Sequence, residues 1–462
     1  MSDNIQEMYA KAKKAFETVE FWSQDSIDEL VAAVGWELQK PSTREDLARL
    51  AVEESGMGVY EDKRDKIKTK TLGTLRDFYK VKTCGLIEDD VQKGVQTYAK
   101  PIGVVANVVP CTNPESTVCC LGLSSLKTRN AMIVTPHPRT QATTYKAVDY
   151  IRKALVKIGA PVDLLQCIKN TSHEKTQELM AACDYAIATG GDALIKVVYK
   201  AGKPAQTVGA GNVVTITDDT VDVTTAAQHV AFSKTVNNAA SCSSDNAVAI
   251  QETIYEPMLK ALQQEGGYLC STEEREKLRQ AMWPDGKALN RDIVAKPAAF
   301  IAELAGLSVP EGTRFLMVLG ETVGPEDRFS GEKLSPVLTV WKWSDFYEIV
   351  DRVKQMHKFS GEGHSVNIHS NLEERRVYLA LKANVGRVIC NMPHAAANSG
   401  GWKCGLDTTD TLGCGTWVGN ISSENINWRQ FLNYTRLAVP IPENMPSEEM
   451  LFGDYLKKWG RD

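Results

Sequence analysis

No apolar run in this chain reaches the roughly eighteen residues that a membrane-spanning helix needs, so no membrane segment is expected. The opening stretch MSDNIQEMYAKAKKAFETVEFW lacks the apolar core and small-residue cleavage site of a signal peptide. CxxC pairs are absent, and the eleven cysteines are an odd number scattered along the chain, unlike a secreted disulfide framework. Cys119 and Cys120 are adjacent and have no histidine pair nearby at ligand spacing, so no metal site is expected. There is no long basic run, and the net charge of −5 argues against general nucleic-acid binding. Reduced thiols in a cytoplasmic protein account for these absences together.

What is present is ordinary globular composition over 462 residues, more than one core usually holds, so two or three domains are expected. The first 82 or so residues read as helices, the first of them amphipathic with Met8, Ala12, Ala15, Phe16, Val19 and Trp22 on one face. That face makes the helix part of a domain rather than a detachable targeting peptide. A polar, β-like passage follows from Gly85 to Pro101. Then short apolar runs at 101–110, 131–136, 164–168 and 185–189 alternate with helical spacing at 114–130, 142–159, 174–182 and 193–202. That alternation predicts an α/β fold with a parallel, doubly wound sheet, whose ligands bind beyond the carboxyl ends of its strands. A second α/β region runs from about 212 to 428, with strands near 247–251, 314–319, 336–341, 365–369 and 387–391, and the chain ends in LAVPIP and a charged tail.

The stretch SKTVNNAASCSSDN sets Cys242 among Ser241, Ser243, Ser244, Asn237 and Asn238. A structural cysteine usually sits among aliphatic side chains. Polar neighbours and backbone N–H groups instead favour a thiolate, the nucleophilic form. A polar loop explains the same residues. Thr112, Asn113 and Pro114 follow the first apolar strand, where the Asn113 amide suits a developing oxyanion; an Asx turn before a helix is the alternative. Gly190 and Gly191 stand between a strand and a helix, as a phosphate turn or a plain one. After the second strand TPHPRT offers His137 and Arg139 and no acidic residue for a ribose 2′-hydroxyl, which suits a 2′-phosphate or a solvated loop. VGAGN at 208–212 reads as a glycine-rich hinge, and GEGHS puts His364 after two glycines.

The segments ANVVPCTNPESTVCCLGLSSLKTRNAMIVTPHPR, GKPAQTVGAGN, SKTVNNAASC, LSPVLTV, GEGHS and TLGCGTWVGNISSENI, in this order, resemble the CoA-acylating branch of the aldehyde dehydrogenase superfamily. That branch includes succinate-semialdehyde and sulfoacetaldehyde dehydrogenases. The resemblance implies a Rossmann-like cofactor domain (1–84 and 100–211), a catalytic domain (212–428), and an oligomerisation hairpin with its tail (85–99 and 429–462). It implies a homodimer or dimer of dimers, NAD or NADP as cofactor, and coenzyme A as cosubstrate. Cys242 falls at the nucleophile, Asn113 at the oxyanion amide and His364 at the branch histidine. Gly190, Gly191 and Gly209 fall along the cofactor, with His137 and Arg139 near its ribose and Glu332 at the nicotinamide ribose. Thr112, Ser241 and Ser243 fall around the aldehyde.

Hydrolytic relatives carry a general-base glutamate where this chain has Val208. Without it water is poorly activated, whereas a thiol with a pKa of about 8.5 is already partly ionised near neutrality. Thioester exchange with coenzyme A is therefore the implied reaction, on a short aldehyde with a polar or anionic end such as succinate semialdehyde or sulfoacetaldehyde. His394 is the candidate cation for that end. Acetaldehyde or propionaldehyde as substrate, a hydrolytic enzyme with a displaced base, and a non-catalytic scaffold of the same fold are the alternatives.

Overall fold

The computed structural model describes residues 3–461. Four helices come first, Ile5–Val19, Gln24–Gln39, Pro41–Ser55 and Tyr60–Phe78. Asn4 and Ser23 cap the first two, each accepting a first-turn N–H. Ile5, Met8, Ala12, Ala15 and Val19 form the buried stripe of the first helix and join the core of the sheet that follows. Phe16 and Trp22, expected on that face, pack against its rim.

That sheet is parallel, with strands in the order Leu165–Cys167, Ala131–Thr135, Val104–Val108, Tyr185–Thr189, Ala205–Val208. The chain winds outward from Val104–Val108 in one direction, then returns to wind the other way. The crevice of a doubly wound sheet opens where the winding reverses, here between Val104–Val108 and Tyr185–Thr189. Their carboxyl ends deliver Thr112 and Asn113 on one side and Gly190 and Gly191 on the other. The fold class expected from the alternation is the one observed.

A second parallel sheet has the order Gly267–Leu269, Phe315–Leu319, Val337–Trp343, Asp245–Gln251, Val213–Thr217, Val366–His369, Val388–Cys390. The turn holding Cys242 enters Asp245–Gln251, near the middle of this sheet. Strands 205–208 and 213–217 escaped the sequence reading, because the glycines of VGAGN between them dominate a short apolar stretch. A third, antiparallel sheet pairs Gly85–Asp90 with Val95–Pro101 and the latter with Leu432–Ala438. The charged tail holds a helix, Glu448–Trp459, capped by Ser447. Among the described residues no helix is long and apolar enough to cross a membrane.

Asn130 joins the antiparallel sheet to the first parallel one. Its Oδ1 accepts from the N–H groups of Ile102 and Gly103 at 2.6 and 2.9 Å, and its Nδ2 donates to Thr128 Oγ1 and the Phe431 carbonyl at 2.7 and 2.8 Å. The side chain is fully buried with both of its polar atoms occupied. Asn130→Ala strands those backbone groups, each orphan costing about 1–3 kcal/mol. The expected outcome is a loss of about 3 kcal/mol or more and a thermal midpoint lower by several degrees; an unchanged midpoint in a melting scan contradicts this role.

Candidate active site

Asn113 opens the helix Pro114–Lys127 but does not cap it: its side chain makes no hydrogen bond to the first turn. An asparagine here ordinarily adds about 1 kcal/mol by capping. The amide is turned away instead, donating from Nδ2 to the Ala240 carbonyl at 3.3 Å and accepting at Oδ1 from Asn237 Nδ2 at 3.4 Å. The Asx-turn alternative is thereby removed. One Nδ2 hydrogen stays free beside the turn that carries Cys242.

That turn is strained. Asn237, Asn238 and Ala239 have φ of +52°, +50° and +56°, three successive left-handed residues with no glycine among them. Asparagine tolerates this region; alanine does so only when its surroundings enforce it. Asn237 supplies the enforcement. Its N–H donates to Asp62 Oδ2 at 2.6 Å, and its Oδ1 accepts from the Val59 N–H at 2.8 Å. Gly58 leaves room for this, since a Cβ there would lie 2.1 Å from Asn237 Oδ1. In the sequence the two asparagines read as polar neighbours of the thiol; a consecutive Asn pair beside a nucleophile is also the signal of left-handed backbone.

The Cys242 thiol meets an imidazole: Sγ lies 3.1 Å from His364 Nε2, and His364 Nδ1 lies 2.7 Å from Ser365 Oγ. Arg387 Nη2 fixes the histidine by donating to its carbonyl at 2.7 Å and to the Gly413 carbonyl at 2.9 Å. Ser365 closes the GEGHS motif, in which only His364 carries an expected role, and Arg387 stands in no motif that distinguishes it from ordinary polar residues. Burial first, then the Arg387 charge, holds the imidazole well below its usual range. Burial first, then the Glu332 carboxylate, pushes the thiol up to about 12. The resting pair is therefore neutral, with the imidazole able to accept the S–H proton through Nε2 when Nδ1–H faces Ser365.

Gly211 packs on the nucleophile so closely that a Cβ there would lie 2.1 Å from the Cys242 carbonyl oxygen. Its N–H donates to Glu332 Oε1 at 3.0 Å, which sets that carboxyl at the cleft, where burial raises it to about 7. Val208 is fully buried at the end of its strand, and 208–212 holds no ionisable side chain.

The nucleotide-type crevice passes a test of fit. A Cβ on Gly191 would meet nothing within 4 Å, and the helix from Asp192 begins there, leaving open backbone at a positive helix end. Gly209 lies alongside, where a Cβ would meet only Ile195, at 3.7 Å. Arg139 is exposed and donates from Nη2 to the Ser55 carbonyl at 2.9 Å. His137 Nδ1 accepts from the Arg139 N–H at 3.1 Å, and burial lowers its pKa, so it adds no positive charge.

Around the aldehyde position the structure departs from expectation at two residues. Ser243 is 1% exposed and its hydroxyl accepts from Asn398 Nδ2 at 2.9 Å, so it braces the turn from within instead of lining open space. His394 is fully buried, its Nδ1 donates to the Ser243 carbonyl at 2.8 Å, and burial depresses its pKa to about 3. A neutral, enclosed imidazole is no cation for a substrate. Ser241 stays partly exposed and accepts the Ser243 N–H at 3.2 Å. Thr112 is partly exposed, with its carbonyl on Lys63 Nζ at 2.8 Å.

A doubly wound sheet joined to a second sheet, with a thiol, an imidazole and an amide meeting at their cleft, defines a nucleotide-type fold built around one cysteine. Residues 1–271 match the model of the aldehyde dehydrogenase family. The chain is 41% identical over 455 residues to sulfoacetaldehyde dehydrogenase of Acholeplasma sp, covering 97% of this chain and 93% of that one. It is 40% identical over 463 residues to sulfoacetaldehyde dehydrogenase (acylating) of Cupriavidus necator, covering 100% and 94%. The crystal structure of an acetylating aldehyde dehydrogenase from Geobacillus thermoglucosidasius superposes with a TM-score of 0.91 at 33% identity, over 96% of this chain and 97% of that one. The chain belongs to the aldehyde dehydrogenase family.

The neutral thiol–imidazole pair has a measurable consequence. A thiol raised to about 12 loses reactivity at neutral pH and gains it as pH rises, because only the thiolate attacks. Iodoacetamide labelling of Cys242 in the unliganded protein, followed on its tryptic peptide, is expected to accelerate steadily from pH 7 to pH 10. A plateau reached near pH 7 reveals a preformed thiolate–imidazolium pair and contradicts this arrangement.

Proposed function

We propose that the protein is a CoA-acylating aldehyde dehydrogenase that converts a short anionic aldehyde of the sulfoacetaldehyde type, NAD(P)+ and coenzyme A reversibly to the acyl-CoA, NAD(P)H and a proton. The observation that carries this reading is the Cys242–His364 contact of 3.1 Å beside a free Asn113 N–H, in a cleft where 208–212 offers water no base. Two relatives named sulfoacetaldehyde dehydrogenase, at 41% and 40% identity, support the substrate class.

In this reading His364 takes the Cys242 proton as sulfur adds to the aldehyde carbon. Asn113 Nδ2 and the Cys242 N–H stabilise the oxyanion, a contribution of the kind worth about 3 kcal/mol per donor. The bound nicotinamide supplies the hydride acceptor. Glu332 would hold its ribose, Gly191 and Gly209 would leave room for its phosphates, and Arg139 would meet the adenosine ribose, where a 2′-phosphate is accepted; Gly190 lacks a side chain beside Leu194, where a Cβ would lie 2.7 Å from Cδ2. Collapse of the oxyanion leaves an acyl thioester on Cys242. His364 gives the first proton to solvent; the CoA thiol then attacks that carbonyl, its proton passing to His364, and Cys242 leaves as a thiolate that regains that proton.

Glu332 accepts the Gly211 N–H at Oε1, and turnover with coenzyme A omitted separates thioester exchange from hydrolysis. The antiparallel sheet, with Tyr434, Leu437 and Val439 exposed along its last strand and just beyond, is the surface for a homodimer or dimer of dimers. Cytoplasmic residence accords with eleven unpaired cysteines.

Initial rates with coenzyme A across sulfoacetaldehyde, succinate semialdehyde, acetaldehyde, propionaldehyde and butyraldehyde, each with NAD+ and NADP+, test the assignment. The anionic aldehydes are expected to give the highest kcat/KM, and a clear preference for butyraldehyde contradicts it. Without coenzyme A, NAD(P)H is expected to form in one burst per site and then nearly stop; sustained turnover identifies a hydrolytic enzyme.

A further inference from the structure

With His394 neutral, the far end of an anionic aldehyde needs another cation. The helix Tyr60–Phe78 carries Lys63, Lys66 and Lys70 three and four residues apart in one stripe, with Lys63 and Lys70 buried and Lys66 partly so. Lys63 commits two of its three donors and Lys70 all three. Lys63 Nζ donates to the Thr112 carbonyl at 2.8 Å and pairs with Glu115 at 3.3 Å. Lys70 Nζ spends its three donors on the Ser399 carbonyl, the Ser399 hydroxyl and the Thr409 carbonyl, at 2.6, 2.6 and 3.0 Å. Lys66 is different. Among the described residues its ionic partner is Asp410 alone, at 3.1 Å, and its side chain keeps 20% exposure. Two of its ammonium donors are therefore uncommitted.

The local charge does not balance. Asp410 serves Lys66 at 3.1 Å and Lys70 at 3.8 Å while accepting a hydrogen bond from Ser116. Two ammonium groups face one carboxylate, with one positive charge left over in a largely enclosed place, which is costly unless an anion answers it. The cluster borders the reacting centre from two sides. Ser116 lies in the helical turn that follows Asn113, and Ser399 follows Asn398, whose amide braces Ser243 next to Cys242. The Lys66 charge reaches the thiol, favouring its ionised form.

Resting on the reading that the substrate is an anionic aldehyde, we propose that Lys66, held by Asp410, receives the sulfonate or carboxylate at the aldehyde's far end. Lys66 is then the specificity-determining residue of the substrate pocket: it gives a charge-assisted hydrogen bond to an anionic end and leaves an apolar one facing an unanswered ammonium.

The test compares Lys66→Met with the wild-type enzyme, in the presence of coenzyme A, on sulfoacetaldehyde, succinate semialdehyde and butyraldehyde. A hydrogen bond to a charged group contributes about 1.5–3 kcal/mol, equivalent to roughly 10- to 150-fold. The kcat/KM ratio of an anionic aldehyde over butyraldehyde should fall by that factor in Lys66→Met, mostly through KM. Lys66→Arg, which keeps the charge, should restore most of it. Using the ratio removes any effect of the lost charge on the thiol, because that effect is common to all aldehydes. Ethanesulfonate, as a competitive inhibitor against butyraldehyde, gives an independent reading: its inhibition should weaken at least tenfold in Lys66→Met. A ratio unchanged within about threefold, with inhibition intact, overturns the role of Lys66 while leaving the anionic-aldehyde reading standing. A wild-type enzyme that prefers butyraldehyde overturns that reading and the role of Lys66 together.

Discussion

The active site depends on one side chain that does no chemistry. Asn237 ties two other parts of the fold to its own turn: its N–H goes to Asp62 of the long helix and its Oδ1 to the Val59 N–H where that helix begins, while its Nδ2 reaches Asn113 Oδ1 beyond a strand of the first sheet. These bonds hold the left-handed turn that delivers Cys242 into the second sheet. Left-handed alanine and asparagine backbone costs of order 1–3 kcal/mol per residue and persists only where its surroundings fix it. The cost brings the amide of one sheet opposite the thiol of the other, and neither sheet could arrange that alone. Gly58 and Gly211 belong to the same constraint, since each lies too close to the turn to carry a Cβ.

The thiol so placed is buried, and burial disfavours its charged form. A neutral thiol and a neutral imidazole in contact form a pair waiting for an electrophile: the proton moves as the carbon–sulfur bond forms, when the new charge is passing to an oxyanion with its own donors. Glu332 sits behind as the carboxylate whose charge raises the thiol, and Lys66 is the nearby ammonium that lowers it. With the roles proposed for Glu332 and Lys66, the charges that set nucleophile reactivity also meet cofactor and substrate, which couples the readiness of the thiol to what occupies the cleft.

Much of this is legible in the residues. Apolar runs of four to eight residues between helical stretches specify a parallel sheet whatever the details, and the strands at 104–108, 131–135 and 185–189 lie where such runs place them. Cys242, Asn113 and His364 each occupy loops at strand ends, and the fold brings the first two to one turn and the third into contact with the thiol. What escaped had physical causes. Strands 205–208 and 213–217 are short and separated by the glycine-rich GAGN, so local pattern favours a hinge; pairing with their neighbours makes them strands. His394 and Ser243 looked available because burial is not written in a local motif: HAAANSGG and SCSS read as exposed, and each is closed over by the other. Lys66 went unnoticed for the converse reason. In EDKRDKIKTK a lysine stripe looks like a solvated face, and only packing turns it inward.

The central claim is that the acyl group rests on Cys242 until a thiol removes it. Its most direct measurement is mass spectrometry of the protein after mixing with sulfoacetaldehyde or succinate semialdehyde and oxidised cofactor without coenzyme A. The account predicts one acyl adduct per chain, mapped to the peptide containing Cys242, stable in buffer and discharged as acyl-CoA when coenzyme A is added. An adduct on another cysteine, or one that water clears as quickly as coenzyme A does, would contradict it.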